Sequence, residues 1–250
     1  MKLTAGTPDE AGLSAPRMEH VRGLAAGWVD DGITPTLAVF VARRGVVVLD
    51  EVFGNLNPDS DSPPLGHDSL FLISSITKPI TATAIMALVE DGLLGLNRPV
   101  QDYIPEFVGE GKEDVLVHHL LTHTSGLDVE FGAAGPDNTS KNSNLPPREE
   151  TQHPVMHELL PPQYGAKLSK KPGEEMVYCN LNYALLGEIV RRVSGQSLAD
   201  FVAERIFGPL GMDDTYFIVP ESVRPRVVRR PEDSAFGRLN AEWIMDTPMP

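Results

Sequence analysis

A chain of 250 residues that is 41% hydrophobic and 22% charged is long enough for one large domain and too apolar to be mainly disordered. Its 35 acidic and 21 basic residues leave a net charge of −14, which disfavours nucleic acid and anionic membranes as partners. A single cysteine, Cys179, excludes an internal disulfide, and no apolar run has signal-peptide or membrane-span length, so a soluble, cytoplasmic protein is expected.

In chain order, Ser14 is placed to cap a helix running to about Asp31, with Met18, Val21, Ala25, Trp28 and Val29 as its apolar face. Thr36 to Ala42 and Val46 to Phe53 are β-rich runs joined by Arg43, Arg44 and Gly45, which predicts an antiparallel hairpin. A polar, proline-containing connection covers Asn55 to Asp68. Ser75 to Asp91 reads as a helix stopping at Gly92, with Ala84, Ile85, Leu88 and Val89 on its apolar face and Pro79 in its first turn. His118 to Leu121 is a short helical run closing at Gly126. Phe131 to Gly173 is rich in Pro, Gly, Asn and Ser, with one helical stretch near Glu149 to Leu160; it reads as a loop-rich segment over a pocket or, equally, as a plain surface insertion. Leu181 to Val193 is a second clear helix, and Ser197 caps a third, with Asp200 three residues on. From Asp213 the signal fades, and the four arginines between Arg224 and Arg230 read as a solvated surface segment. There are no internal repeats.

Two short motifs carry chemistry. Ser75-Ile76-Thr77-Lys78 sets a hydroxyl and an amine one helical turn apart, on one face, at a helix start where unpaired N–H groups and the dipole favour an oxyanion. Serine becomes a good nucleophile only when a base takes its proton. Lys78 would need its proton affinity lowered, since roughly one ordinary lysine in a few thousand is neutral at pH 7. With 14 Ser and 7 Lys in the chain, roughly 0.4 such pairs arise by chance, so a capping serine and a surface lysine is the ordinary reading. Tyr178-Cys179-Asn180 puts a phenol and a carboxamide on one side of an extended segment, or is simply a loop before a helix. The pairs His119/His123 and His153/His157 have helical zinc spacing but lack the adjacent glutamate of a His-Glu-x-x-His site, and a metal role is not expected.

Taken together with their surroundings, these motifs resemble the penicillin-binding protein and serine β-lactamase superfamily, in particular class C β-lactamases and family VIII esterases. The resemblance rests on Ser74-Ser75-Ile76-Thr77-Lys78-Pro79 before an Ala-rich helix and on His119-Leu120-Leu121-Thr122-His123-Thr124-Ser125-Gly126-Leu127. It continues in Pro172-Gly173-Glu174 leading to Tyr178-Cys179-Asn180, in Tyr183-Ala184-Leu185-Leu186-Gly187 and in Pro209-Leu210-Gly211-Met212, all in the family's order from about Pro8 to Pro220. It implies Ser75 as nucleophile, Lys78 as base, Tyr178 as proton shuttle and Asn180 as the group that orients Lys78 and binds a substrate carbonyl. Cys179 is then a spacer. No metal or organic cofactor is implied. The family's third motif, a Lys/His-x-Gly strand late in the chain, has no counterpart after Asn180.

The expected fold is therefore α/β of α+β type: a β-lactamase/transpeptidase-like antiparallel sheet flanked by helices. Residues 1–250 are expected to form one such domain, C-terminally truncated and lacking the C-terminal part of the sheet. Within it, 74–212 is a mainly helical region with the active-site motifs, and 131–173 is the loop-rich segment over the pocket. The expected function is a serine hydrolase acting through an acyl-enzyme on a small-molecule ester or amide, with a carboxylesterase favoured. The alternatives are a β-lactamase or D-alanyl-D-alanine peptidase and, in another class, a non-catalytic acylatable or binding protein on the same scaffold.

Overall fold

The computed structural model describes residues 3–129, 131, 145 and 147–232. They fall into two compact units, one formed by the described residues among 3–72 and 221–232 and the other by those among 73–220.

The first unit is a three-stranded sheet with one helix. Strand β1 is Thr4–Ala5, helix α1 is Ala15–Asp30, and strands β2 and β3 are Thr36–Arg43 and Val46–Gly54. The spatial order is β1-β3-β2, with β1 parallel and β2 antiparallel to β3, so the sheet is mixed. The expected hairpin is present. Arg44 and Gly45 both take positive φ, 55° and 81°, the two-residue turn whose twist matches a right-twisted strand pair. A bulge between Val41 and Ala42 absorbs the register shift beside that turn. Strand β1 was not expected; two residues cannot show an alternation, and a parallel pairing leaves no local turn signal.

Helix α1 begins where the sequence places it, but Ser14 makes no side-chain capping bond. Its inward stripe runs through half-buried Met18, Val21 and Val29 and buried Ala25, while Trp28 is exposed. One residue before Val29 is 100° round the helix, which carries the indole to the edge of the stripe. The arginine run is tied down at several points. Leu70 and Val227 form a bridge, Arg226 Nε donates to the carbonyl of Asp68 at 2.7 Å, and Arg229 approaches Asp59 at 3.9 Å. It serves as a clip along the 56–70 connection as well as a surface.

The second unit is helical: α2 is Thr77–Glu90, α3 is Val117–Leu121, α4 is Pro154–Leu159, α5 is Asn180–Ser194 and α6 is Leu198–Val202. The core forms where Ala84, Ile85 and Leu88 of α2 meet α5, whose residues from Leu181 to Arg191 are all buried. Each fully buried Leu or Ile contributes roughly 1.5–3 kcal/mol of apolar transfer, so α5 is held by its packing. It stops at Gly195, which takes the left-handed conformation that glycine allows at a helix end. Ser197 caps α6 as expected, accepting from the Asp200 N–H at 3.1 Å. Burying all sides of α5 also buries polar groups, and these are paired. Arg191 forks onto Glu188 at 2.8 and 2.9 Å, and Arg192 reaches both Glu188 and Glu106 at 2.7 Å.

The expected loop-rich segment 131–173 lies partly outside the described residues. Its described part lines a cavity of about 450 Å³ together with Glu106, Arg191 and Arg192, and none of Ser75, Lys78, Tyr178 and Asn180 borders it.

Candidate active site

Ser75 does not start the α-helix itself. Ser74–Ile76 form a 3-10 turn that runs directly into α2 at Thr77. This tighter winding brings residues three apart into line, so Lys78 comes back over Ser75, with Nζ 3.2 Å from Oγ. Ser74, immediately before, holds φ at 49°, a left-handed backbone that costs a serine about 1–2 kcal/mol.

Tyr178 and Asn180 arrive from the other side of the unit. Cys179 is extended, with φ −139° and ψ 121°, so its neighbours face one way and its own side chain the other. Cys179 is buried, its thiol directed at the Val129 carbonyl at 3.5 Å. Tyr178 and Asn180 face Ser75 and Lys78. The Tyr178 hydroxyl lies 2.7 Å from Ser75 Oγ, and Lys78 Nζ donates to Asn180 Oδ1 at 2.9 Å. All four side chains named from the sequence thus converge across more than 100 residues of chain.

Lys78 is only 6% exposed, whereas Tyr178 is 51% exposed. Its ammonium lies 5.2 Å and 5.6 Å from the ring centres of Tyr178 and Tyr183, within cation–π range. Among the described residues Lys78 has no carboxylate partner. Burial on its own pushes the Tyr178 phenol up. The adjacent Lys78 ammonium and the hydrogen bond to Ser75 outweigh it, and the phenol lies below its ordinary value.

The segment His119 to Leu127 is the scaffold of this corner. His123 accepts from the Val177 N–H through its carbonyl at 2.8 Å and from the Cys179 N–H through Nδ1 at 3.2 Å. Thr124 and Gly126 carbonyls take the N–H groups of Gly173 and Ser169 at 2.8 and 2.7 Å. Gly126 must be glycine: its φ is 84° and a Cβ would stand 2.1 Å from the Lys170 carbonyl oxygen. Ser125 donates to Asn182 Oδ1 at 2.7 Å, and Tyr183 donates to the Leu121 carbonyl at 3.1 Å.

His123, Ser125, Asn182 and Tyr183 were not singled out as site residues from the sequence. Asn182, a carboxamide amid the apolar residues of a buried helix, was the available signal. Neither His119/His123 nor His153/His157 forms part of a metal cluster, and no group of three or more potential ligands converges among the described residues.

The arrangement brings a serine hydroxyl, an ammonium, a phenol and a carboxamide within hydrogen-bond reach of one another, and comparison with known proteins gives the family. The Beta-lactamase family profile matches residues 19–248, and the chain belongs to that family. It is 36% identical over 191 residues to Esterase EstB of Burkholderia gladioli, an alignment covering 74% of this chain and 47% of that protein. It is 33% identical over 177 residues to Penicillin-binding protein 4* of Bacillus subtilis (strain 168), covering 71% and 37%. Among solved structures it matches the octameric penicillin-binding protein homologue from Pyrococcus abyssi with a TM-score of 0.71 and 30% identity, over 85% of this chain and 47% of that one. The chain therefore spans about half the length of these relatives or less. The β-lactamase/transpeptidase-like fold is that expected from the motifs. No helix among the described residues is long and apolar enough to cross a membrane.

Proposed function

We propose that the protein is a serine hydrolase that works through an acyl-enzyme on Ser75, with a carboxylic ester as the preferred substrate. The observation that carries this reading is the contact set around one hydroxyl: Ser75 Oγ lies 2.7 Å from the Tyr178 phenol and 3.2 Å from the Lys78 ammonium. In the first step Oγ attacks the ester carbonyl while its proton passes to Tyr178, whose conjugate base Lys78 stabilises. The tetrahedral adduct collapses, the alkoxide leaves with that proton, and the acyl group stays on Ser75. Water then attacks the acyl-enzyme and gives its proton to Tyr178; the Oγ–acyl bond breaks, Ser75 Oγ takes that proton back, and the carboxylic acid is freed. Asn180 holds Lys78 in place and is available to a substrate carbonyl.

The ester preference draws on the 36% identity to an esterase and on exposed apolar residues close in sequence to Ser75 and Tyr178. Ile76 and Met176 are 67% and 62% exposed within three residues of Ser75 and Tyr178. A β-lactam or D-alanyl amide is the second reading, favoured by the likeness to Penicillin-binding protein 4*.

Labelling with a fluorophosphonate followed by peptide mapping tests the assignment. The expected adduct is on Ser75, and Ser75→Ala should abolish both labelling and ester turnover without unfolding the protein. An adduct on Ser125 or Cys179 with Ser75 unmodified overturns it. A protein that is acylated once and never turns over is instead an acylatable binder.

A further inference from the structure

His123 holds Tyr178 from three directions. Its carbonyl and its ring nitrogen take the two N–H groups that flank Tyr178 in the chain, those of Val177 and Cys179. Its ring lies 4.5 Å from the Tyr178 ring, tilted by 33°, and 5.2 Å from that of Tyr183. The residue is buried, and its backbone is left-handed at φ 56°. Such a conformation is uncommon outside glycine and persists where its surroundings over-determine it.

The hydrogen bonds select the protonation state. Nδ1 receives the Cys179 N–H and also lies 3.2 Å from Asn182 Nδ2, whose partner oxygen is occupied by the Ser125 hydroxyl. Two donors on one nitrogen require a lone pair there, so the imidazole is neutral with its proton on Nε2. The titratable side chains beside the ring are Lys78 from α2, Tyr178 from the extended segment and Tyr183 from α5, while Cys179 meets it only through its backbone N–H. Of these only Lys78 brings a positive charge, and it opposes a second one. Burial first, and the Lys78 charge second, hold the imidazole below its ordinary value.

We propose that neutral His123 is the positioning residue that keeps the Tyr178 phenol against Ser75, and that its protonation releases Tyr178 and switches the site off in mild acid. A proton on Nδ1 would turn two accepted hydrogen bonds into donor–donor clashes. The inference rests on the hydrolase reading for its kinetic consequence, but not for its structural one.

The test pairs a spectroscopic readout with two variants. Nitrogen-15 shifts of the His123 ring, followed from about pH 8 to about pH 5, are expected to show an unprotonated Nδ1 at neutral pH and a midpoint below the ordinary histidine value of about 6.5. The Tyr178 Cζ shift should move with the same midpoint. Asparagine suits His123→Asn because it offers an oxygen where Nδ1 stood, tolerates the left-handed backbone and does not titrate. The wild-type rates of ester turnover and of fluorophosphonate labelling should fall through the His123 midpoint, and that limb should be absent in His123→Asn. His123→Ala should lose about 10²-fold in kcat with little change in KM, the cost of roughly 1 Å of misplacement. A protonated Nδ1 at neutral pH, a Tyr178 shift blind to the titration, or one acid limb shared by wild type and His123→Asn would each overturn the proposal. A protein with no acylation at any pH defeats the hydrolase reading, while the ring shifts still decide whether His123 controls Tyr178.

Discussion

Tyr178 is half-exposed yet held at hydrogen-bond distance from Ser75, and its phenol is shifted down by a neighbouring ammonium. A group so arranged is expected to contribute to proton transfer more than to binding. Tyr178→Phe keeps the ring against His123 and removes only the hydroxyl. It is expected to lower kcat by about 10²–10⁴-fold with KM nearly unchanged, read from steady-state ester hydrolysis. The same corner should govern stability in acid. His123 and His119 are both shifted down, chiefly by burial. The unfolded chain therefore binds more protons than the folded one below about pH 6.5, and stability must rise with pH through that range. Its full value is present above the unfolded pKa and is lost as the pH falls through the lowered folded ones. Tm should drop on going from pH 7 to pH 5, and less steeply in His123→Asn, which removes one of the two groups.

At the level of elements, α5 supports the site from beneath and depends on its own buried charges. Glu188 and Arg191 are fully enclosed one turn apart, with Arg192 sharing the same carboxylate. Glu188→Ala leaves Arg191 buried without its main partner and should cost about 3–5 kcal/mol, measured by denaturant unfolding. Glu149 also contacts Arg191, at 2.6 Å, but its side chain is 67% exposed, and Glu149→Ala should cost under about 1 kcal/mol. Equal costs for the two would remove burial as the explanation. The pairing of residues 124–126 with 169–173 has a comparable weak point. Gly126→Ala forces a Cβ into the Lys170 carbonyl at a left-handed backbone, so the clip must open. Since Gly173 and Glu174 lead directly to Tyr178, catalysis should fall along with stability, and kcat should respond more than KM.

For the molecule as a whole, the chain belongs to the Beta-lactamase family, and the proposed acyl transfer on Ser75 leaves the substrate class as the question to test. A comparison of kcat/KM for p-nitrophenyl butyrate and nitrocefin bears on this directly. The ester value should be the larger, and a β-lactam value equal to it or above it would make the penicillin-binding relatives the better guide. The described fold contributes a mixed three-stranded sheet in one unit and, in the other, a helical body that contains all four candidate residues.

The sequence by itself determined the elements whose signals are local. The hairpin follows from two β-rich runs around Arg44-Gly45, α2 and α5 from apolar spacing, and the cap of α6 from Ser197 with Asp200. Ser75 and Lys78 were legible because a one-turn spacing fixes their relation whatever the rest of the chain does. Tyr178 and Asn180 were legible as a pair for the same reason, since an extended Cys179 turns both one way. That the two pairs meet was implied only by resemblance to a known family; the physical cause is the packing of α2 on α5. Tertiary structure alone decided the rest. The parallel pairing of β1 has no local code, Trp28 lost its place in the core by lying at the edge of the helical stripe, and the 3-10 turn at Ser74–Ile76 has no pattern distinct from an α-helix start. His123 was visible in the sequence as one of a pair with metal-like spacing. The role proposed for it is visible only once residues 177 and 179 lie along it, because the burial, the donors and the neighbouring charge that favour a neutral, accepting ring are placed around it by the fold.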